Sequence, residues 1–399
     1  MSKPLLNIAG RLHRRRRHCE SRVAIIGAGL PGLAAATLLR RNLNCRVTVF
    51  EQHADADDAD RRAAFVHGSR VYVTPRMRRA LESCDIGYRR HIVETRPATY
   101  LDWDAVDMFS DADREYRAER APQIVARAIA ADLRQRIDDD ALRVRYGVRV
   151  AADDLVVNRD RTISVLGDDY DLLLGCDGRR SIVRPLVTPL QQAERDPSMR
   201  RVIFDVPVAA CEDAVSEDIG FVGSKMVVHV SLLEHDGQDR LRVTMTFPIG
   251  SAAALGDPID AFRKRVKMSQ SAVLRGIPDH VDNRTRVEVH NLVDRDWPVM
   301  TSTFYWPIAL LGDALRQMVP YHDELSSLAL EDAVQVCNAY RQSSRRDVHE
   351  YWQAVEPPAR VWIEQARSNM EFMHAKAATD KLVELHGALL ECAESPRNV

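Results

Sequence analysis

The chain has 399 residues, 45% of them hydrophobic and 29% charged, with a formal net charge of −2. That length supports two or three packed substructures around a substantial core, and the near-neutral balance excludes the global basic field of a nucleic-acid binder. Seven cysteines without a Cys-x-x-Cys pair argue against a disulfide framework or a zinc site and fit a reducing cytoplasm, and no apolar run reaches the roughly 18–20 residues of a membrane span.

Residues 1–20 form a basic arm. Met1–Cys19 contains no acid, and Arg14–Arg17 is an unbroken basic run. The charges follow the weakly apolar Pro4-Leu5-Leu6, the reverse of the order in a secretory signal. The arm reads as a disordered, solvated tail or as a short amphipathic segment on an anionic surface.

Arg22–Ile26 predicts a short buried strand, because Val23, Ala24, Ile25 and Ile26 are continuously apolar. Gly27-Ala28-Gly29-Leu30-Pro31-Gly32 follows at once, and Leu33–Arg41 continues as an Ala/Leu-rich helix. In such a unit the first glycine permits the tight turn, the second lets backbone approach a pyrophosphate, and the third lets helix and strand pack closely. The pyrophosphate then rests on free N–H groups at the positive end of the helix. A second strand, Arg46–Phe50, ends in Glu51 and Gln52, about 20 residues further on. A carboxylate there hydrogen-bonds ribose hydroxyls and repels a 2′-phosphate, which favours FAD or NAD over NADP.

Arg70 precedes the extended Val71-Tyr72-Val73-Thr74 and a helical Arg78–Leu81. Ile124–Ile137 predicts a helix with Ile124, Ala128, Ala131 and Ile137 near one face and Arg127 in its first turn. Asp55–Arg62 and Asp138–Asp140 read as solvated charges. Tyr170–Leu174 predicts a strand running into Gly175-Cys176-Asp177-Gly178-Arg179-Arg180-Ser181, then Val183-Arg184. Asp-Gly is a turn dipeptide at a strand end, and Ser181 is placed to cap a following helix. Arg201–Val208, Lys225–Leu233 and Leu241–Phe247 alternate as strands between Gly and Asp turns. Ile308–Leu311 is another short apolar strand, followed by Gly312-Asp313, and the stretch from Arg345 to Val399 predicts helices packed on this body.

Three segments, VAIIGAGLPG at Val23–Gly32, LLLGCDGRRSIVR at Leu172–Arg184 and LLGDALRQMVPYHDELSSLALEDA at Leu310–Ala333, together resemble the single-component FAD-dependent aromatic hydroxylases of the para-hydroxybenzoate hydroxylase type. Val293-Asp294-Arg295-Asp296-Trp297-Pro298 before the third segment and Ala329-Leu330-Glu331-Asp332-Ala333 at its close also fit that pattern. The resemblance implies an α/β fold: a Rossmann-like FAD/NAD(P)-binding domain with an inserted, mostly antiparallel β-sheet substrate domain and C-terminal helices. Residues 21–185 and 291–344 would form the discontinuous FAD-binding domain, 186–290 the substrate sheet and 345–399 the helical segment.

The resemblance also implies FAD as cofactor and NADH or NADPH as co-substrate. The cofactor-binding residues it implies are Gly27, Ala28, Gly29, Leu30, Pro31, Gly32, Glu51 and Gln52, with Arg70, Arg127, Asp177, Gly312, Asp313 and Pro320. Among these, Asp177 would lie near the pyrophosphate and Asp313 on the ribityl chain. His229, Met245, Phe247 and Tyr305 are candidates for the pocket wall, with ordinary sheet packing as the competing role. The implied reaction is hydroxylation of a small aromatic or polyketide-like substrate with O₂. No side chain is nominated as a catalytic base, and no metal site is expected.

The third segment departs from the family pattern in two places. Arg316 stands where the family carries a His three residues after the Asp, and Asp323 and Leu325 occupy the positions of a Gly-x-Gly loop. Non-glycine residues resist positive φ, and Asp323 with Glu324 would bring negative charge toward the flavin's pyrimidine edge. The alternative reading is a same-fold protein with altered or lost FAD binding, acting as a cofactor-independent catalyst or binding protein, or a flavin-dependent oxidoreductase other than a hydroxylase.

Overall fold

The computed structural model describes residues 21–56, 70–72, 75–87, 89, 92–93, 99–102, 123–135, 140–188, 198–208, 219–223, 225–235, 238–250, 257–296, 307–320, 325–343 and 348–374. In chain order, β1 (Arg22–Ile26) leads into α1 (Leu30–Leu43) and β2 (Arg46–Phe50). β3 (Arg70–Tyr72), α2 (Pro75–Ser83), β4 (Ile92–Val93), β5 (Thr99–Asp102), β6 (Gln123–Val125), α3 (Ala126–Gln135) and β7 (Leu142–Arg145) follow. A small antiparallel sheet of β8 (Leu155–Val157), β9 (Ile163–Val165) and β10 (Asp168–Tyr170) precedes β11 (Leu172–Gly175) and α4 (Arg184–Val187). Next come β12 (Met199–Pro207), β13 (Ile219–Gly223), β14 (Met226–His235), β15 (Gln238–Pro248), α5 (Pro258–Val266), α6 (Ala272–Gly276) and β16 (Val287–Asn291). The described chain closes with β17 (Ile308–Leu310), α7 (Leu325–Gln342) and α8 (His349–Met373).

Five of these strands form a parallel sheet in the order β17-β11-β1-β2-β7. Strands of such a sheet are buried on both faces, which is why they read as continuous apolar runs. Val23, Ala24 and Ile25 of β1, Leu172, Leu173 and Leu174 of β11, and Ile308, Ala309 and Leu310 of β17 are all fully buried. Val23 pairs with Leu172 and Ile26 with Gly175, while Gly175 pairs with Leu310 on its other side. This register brings three strand ends level, and the glycine turns that follow them emerge side by side. Ligands of open α/β sheets bind at such carboxyl ends.

The second sheet runs β16-β12-β15-β14-β13-β5, taking its edge strand from residues 99–102. Its alternation of two separates the faces. Val202, Phe204, Val228, Val243, Met245 and Phe247 pack against Ile259, Phe262 and Leu274 of α5 and α6. On the other face Met199, Val222 and Val227 meet Val319 and Ala366, Met370 and Met373 of α8. Met245 and Phe247 are thus buried in the core under α5 and α6, the ordinary sheet packing that competed with a place in the pocket wall. His229 has the opposite parity to Val228 and Val230, shares the face of Val227 and is half-buried. Tyr305 and the 1–20 arm lie outside the described residues.

Two local expectations change. Residues 123–125 form β6 and pair with both β3 and β4, so the helix starts at Ala126 rather than at Ile124. Tyr170 belongs to β10, and the chain turns at Asp171 before β11; the Asp171 N–H donates to Arg22 O at 2.8 Å and its carboxylate accepts from Arg22 N–H at 2.8 Å. α8 ties the two sheets together. The Tyr351 hydroxyl donates to Leu310 O at 2.7 Å, Trp352 Nε1 donates to Ile308 O at 3.2 Å, and His374 Nε2 lies 3.2 Å from Thr246 Oγ1 on β15.

Gly175 tests how tightly β11 is packed. A Cβ there would lie 2.8 Å from Leu310 Cδ2 and 2.8 Å from Val183 Cβ. Gly175→Ala is expected to lose about 1–3 kcal/mol through overpacking, read as a lower urea midpoint than the wild type.

Candidate functional site

The first turn is built by close backbone approach. Gly27 has φ of 101°, and a Cβ on it would lie 2.4 Å from Cys176 O. A Cβ on Gly32 would lie 2.1 Å from Gly27 O, so only glycine lets α1 start this close to β1. Gly29 differs: among the described residues its Cβ would meet within 4 Å only Pro31 Cδ, at 3.9 Å. Gly29 caps α1 with extended backbone and no side-chain hydrogen bond, Pro31 sits in the first turn, and that turn holds no acidic residue. The N–H groups of this helix start thus receive no side-chain cap. Leu30 is half-buried, Ala28 buried.

Glu51 is buried at the end of β2. Its Oε2 accepts from the Ala28 N–H at 2.8 Å and its Oε1 from the His53 N–H at 2.9 Å, so the carboxylate fastens the glycine turn to the second strand. Gln52 beside it is exposed.

At the second turn, Asp177 Oδ2 accepts from the Ile182 N–H at 2.7 Å. Asp177 Oδ1 is buried and has no hydrogen-bond partner among the described residues. Burial pushes this carboxyl above its usual range, against hydrogen bonds from Ser181 and Ile182 that pull it down. Ser181 Oγ accepts from the Arg184 N–H at 3.0 Å at the start of α4, as a capping hydroxyl does.

Arg184 is the residue that sequence reasoning missed. Its buried guanidinium donates from Nε to Ala314 O and from Nη2 to Asp313 O, each at 2.8 Å, and from Nη1 to Arg179 O at 3.2 Å. It bolts the second turn to the third. The sequence carried no signal for this beyond Arg184's place at the end of the second segment.

The third turn packs on the first. Gly312 has φ of 59°, and a Cβ there would lie 3.2 Å from Pro31 Cγ. The Gly312 N–H donates to Asp332 Oδ2 of α7 at 2.8 Å. Arg316, at the position where a His was expected, is buried, donates to the same Asp332 oxygen, and donates to Leu328 O at 3.1 Å. Burial pushes Asp332 up to about 6, while the Arg316 charge and the Gly312 N–H pull it down. Asp313 is half-buried in this turn, and Pro320 is exposed at its far end.

Residues 321–324, including Asp323 and Glu324, lie outside the described residues, and Leu325 opens α7. Arg70 starts β3 and pairs with Val125, two residues before Arg127, so the backbone brings these two positions together. Their side chains are not among those described.

Gly27 to Gly32, Glu51, Asp177, Gly312 and Asp313 thus lie together at the carboxyl ends of the parallel strands. The uncapped helix start beside a side-chain-free Gly29 fits the pyrophosphate of a dinucleotide, and the unpaired buried Asp177 oxygen, an acceptor, fits one of its hydroxyls. Among the described residues no group of His, Cys, Asp and Glu could hold a metal ion.

The family model described as FAD binding domain matches residues 20–345. The chain belongs to the FAD-binding-domain family. Solved structures of the same fold include Klebsiella pneumoniae HpxO complexed with FAD and uric acid, with a TM-score of 0.67 and 19% identity over 94% of this chain and 92% of that one. Salicylate hydroxylase in a substrate complex gives 0.68 and 16% over 95% and 99%. Pseudomonas aeruginosa PqsL in complex with 2-aminobenzoylacetate gives 0.65 and 18% over 92% and 100%. No curated protein matches the chain.

In this family member Arg184 is expected to stabilise the FAD-binding turns. Arg184→Ala leaves the Asp313, Ala314 and Arg179 carbonyls without their charged donor and should cost about 1.5–3 kcal/mol. Thermal unfolding and FAD titration of the variant should show both a lower Tm and weaker binding.

Proposed function

We propose that the protein is an FAD-dependent monooxygenase that uses NADH or NADPH and O₂ to hydroxylate a small aromatic or polyketide-like substrate in the cytoplasm. The observation that carries this reading is the packing of the three glycine turns on one another, Gly27 against Cys176 and Asp177 and Gly312 against Pro31, at the carboxyl ends of three paired parallel strands. When bound, FAD supplies the redox chemistry, taking reducing equivalents from the nicotinamide donor and activating O₂.

The chain's own residues hold and orient. The Gly27–Gly32 turn and the start of α1 receive the pyrophosphate on N–H groups. Glu51 is assigned to the adenosine ribose, with Gln52 beside it, Asp177 to the pyrophosphate side, and Asp313 to the ribityl chain. Arg70, Arg127 and Pro320 are assigned as further cofactor contacts. Residues 21–185 and 291–344 then form the FAD-binding part, except that residues 99–102 cross over to edge the second sheet. The face of the second sheet that carries His229 is assigned to cover the substrate and exclude water. The ligands named for the structural neighbours, uric acid and 2-aminobenzoylacetate, are small and unsaturated, which supports the substrate class. No described helix is long and apolar enough to cross a membrane.

Purified protein is expected to show the two visible absorbance bands of oxidised flavin or to acquire them on titration with FAD. Gly29→Glu should abolish that binding without unfolding the chain, because its Cβ meets within 4 Å only Pro31 Cδ among the described residues and its carboxylate is set against the pyrophosphate. Absence of both bound and titratable FAD in the wild type would remove the monooxygenase reading. Where FAD binds, oxygen-dependent NADH or NADPH consumption stimulated by candidate phenols separates a hydroxylase from other flavin oxidoreductases.

A further inference from the structure

The Gly312–Ala314 turn is held from below by a buried ion pair. Arg316 and Asp332 are 4% and 2% exposed, and Asp332 Oδ2 accepts from both the Arg316 guanidinium and the Gly312 N–H. The same guanidinium reaches Leu328 O on α7, and the Arg316 N–H donates to Gly312 O at 2.8 Å. Arg316 therefore grips the turn twice, through its own backbone and through the carboxylate that fixes the first N–H of the turn. A planar guanidinium can bond a carboxylate and a carbonyl at fixed angles, which an imidazole at this position could not do with the same reach.

We propose that Arg316 is a positioning residue: acting through Asp332, it sets the shape of the Gly312–Ala314 turn that carries Asp313, and FAD affinity depends on the charge of this buried pair. The proposal rests on the reading that FAD binds at these turns. Replacing a buried ion pair by neutral groups of similar volume is often harmless to stability, so stability alone does not account for the pair. The groups facing Asp332 are Arg316 on the turn, its neighbour Glu331 on α7, Tyr351 on α8 and Cys176 after β11. Burial drives Tyr351 and Cys176 well above their usual ranges, which keeps both neutral, and it raises Asp332 into the mildly acid range.

The sign follows directly. Above about 6 the Asp332 carboxylate is charged, pairs with Arg316 and accepts strongly from Gly312; below that value the protonated acid does neither as well. FAD affinity is therefore present above this value and weakens as pH falls through it, and bound FAD reciprocally lowers Asp332's pKa.

The experiment measures the FAD dissociation constant by flavin fluorescence between about pH 8 and about pH 5, for the wild type and for Arg316→Met/Asp332→Asn. Far-UV circular dichroism and the Tm of FAD-free protein are read in parallel. The expected result is a wild type whose affinity drops several-fold across that range while its fold persists. The double variant should keep the wild-type Tm within a few degrees, bind FAD about ten-fold more weakly at high pH, the size of one hydrogen bond to a charged group, and lose the pH dependence. A wild type that binds FAD with a flat profile overturns the proposal, even should the double variant not fold. So does a double variant that binds FAD with the wild-type affinity and profile. A wild type that binds no FAD at any pH overturns instead the reading of the site on which the proposal rests.

Discussion

Everything at this site depends on the register of three parallel strands. Cys176 N–H donates to Ile26 O at 2.8 Å, Leu311 N–H to Gly175 O at 2.9 Å, and Gly27 N–H to Phe50 O at 2.8 Å, so the last ladder bonds of the sheet already lie within the glycine turns. A slip of one residue would turn every side chain of a strand to the other face and separate the turns by a strand step. The glycines follow from this geometry rather than from flexibility. The carbonyls of Cys176 and Gly27 occupy the space that side chains at Gly27 and Gly32 would need. Three segments far apart in sequence therefore behave as one object.

The third turn is held by two buried guanidiniums working on opposite backbone groups. Arg184 takes the carbonyls of Asp313 and Ala314, while Arg316, through Asp332, governs the N–H of Gly312. Taking such groups out of water costs several kcal/mol each unless every donor finds an acceptor. A hydrophobic filling would have stabilised the fold as well. It would not have fixed the direction of individual peptide groups, and peptide direction is what a site for a phosphate-bearing cofactor requires.

The sequence makes the fingerprint legible because its requirements are local: a strand, a turn without side chains and a helix start, all within Arg22–Leu43. What it hides is long-range. Glu51 is recognisable as an acid at a strand end, but its hold on the Ala28 N–H is a tertiary fact. Arg184 and Asp332 find their partners 130 and 20 residues away. The same limit explains β6, where Ile124, Ala128 and Ala131 keep a helical period although residues 123–125 are claimed by two neighbouring strands. In the second sheet the alternation was readable but the face was not, so Met245 and Phe247 stood between sheet packing and a pocket wall until their contacts with α5 and α6 placed them in the core.

The departure at Arg316 looks different once its surroundings are known. Its partner Asp332 belongs to the Ala329–Ala333 run that matches the family pattern, and Tyr351 of α8 closes the same cluster by bonding the Leu310 carbonyl just before the turn. A longer, permanently charged side chain has therefore been fitted into a turn whose acceptors, Asp332 and Leu328 O, are supplied by one helix. α7 in turn packs along α1, whose first residues carry Pro31 against Gly312. The substituted position thus connects, through two contacts, to the helix start on which the first turn depends. A change at one residue of the third segment is absorbed by the packing that joins all three, which is why the fold persists around a residue that the pattern does not anticipate.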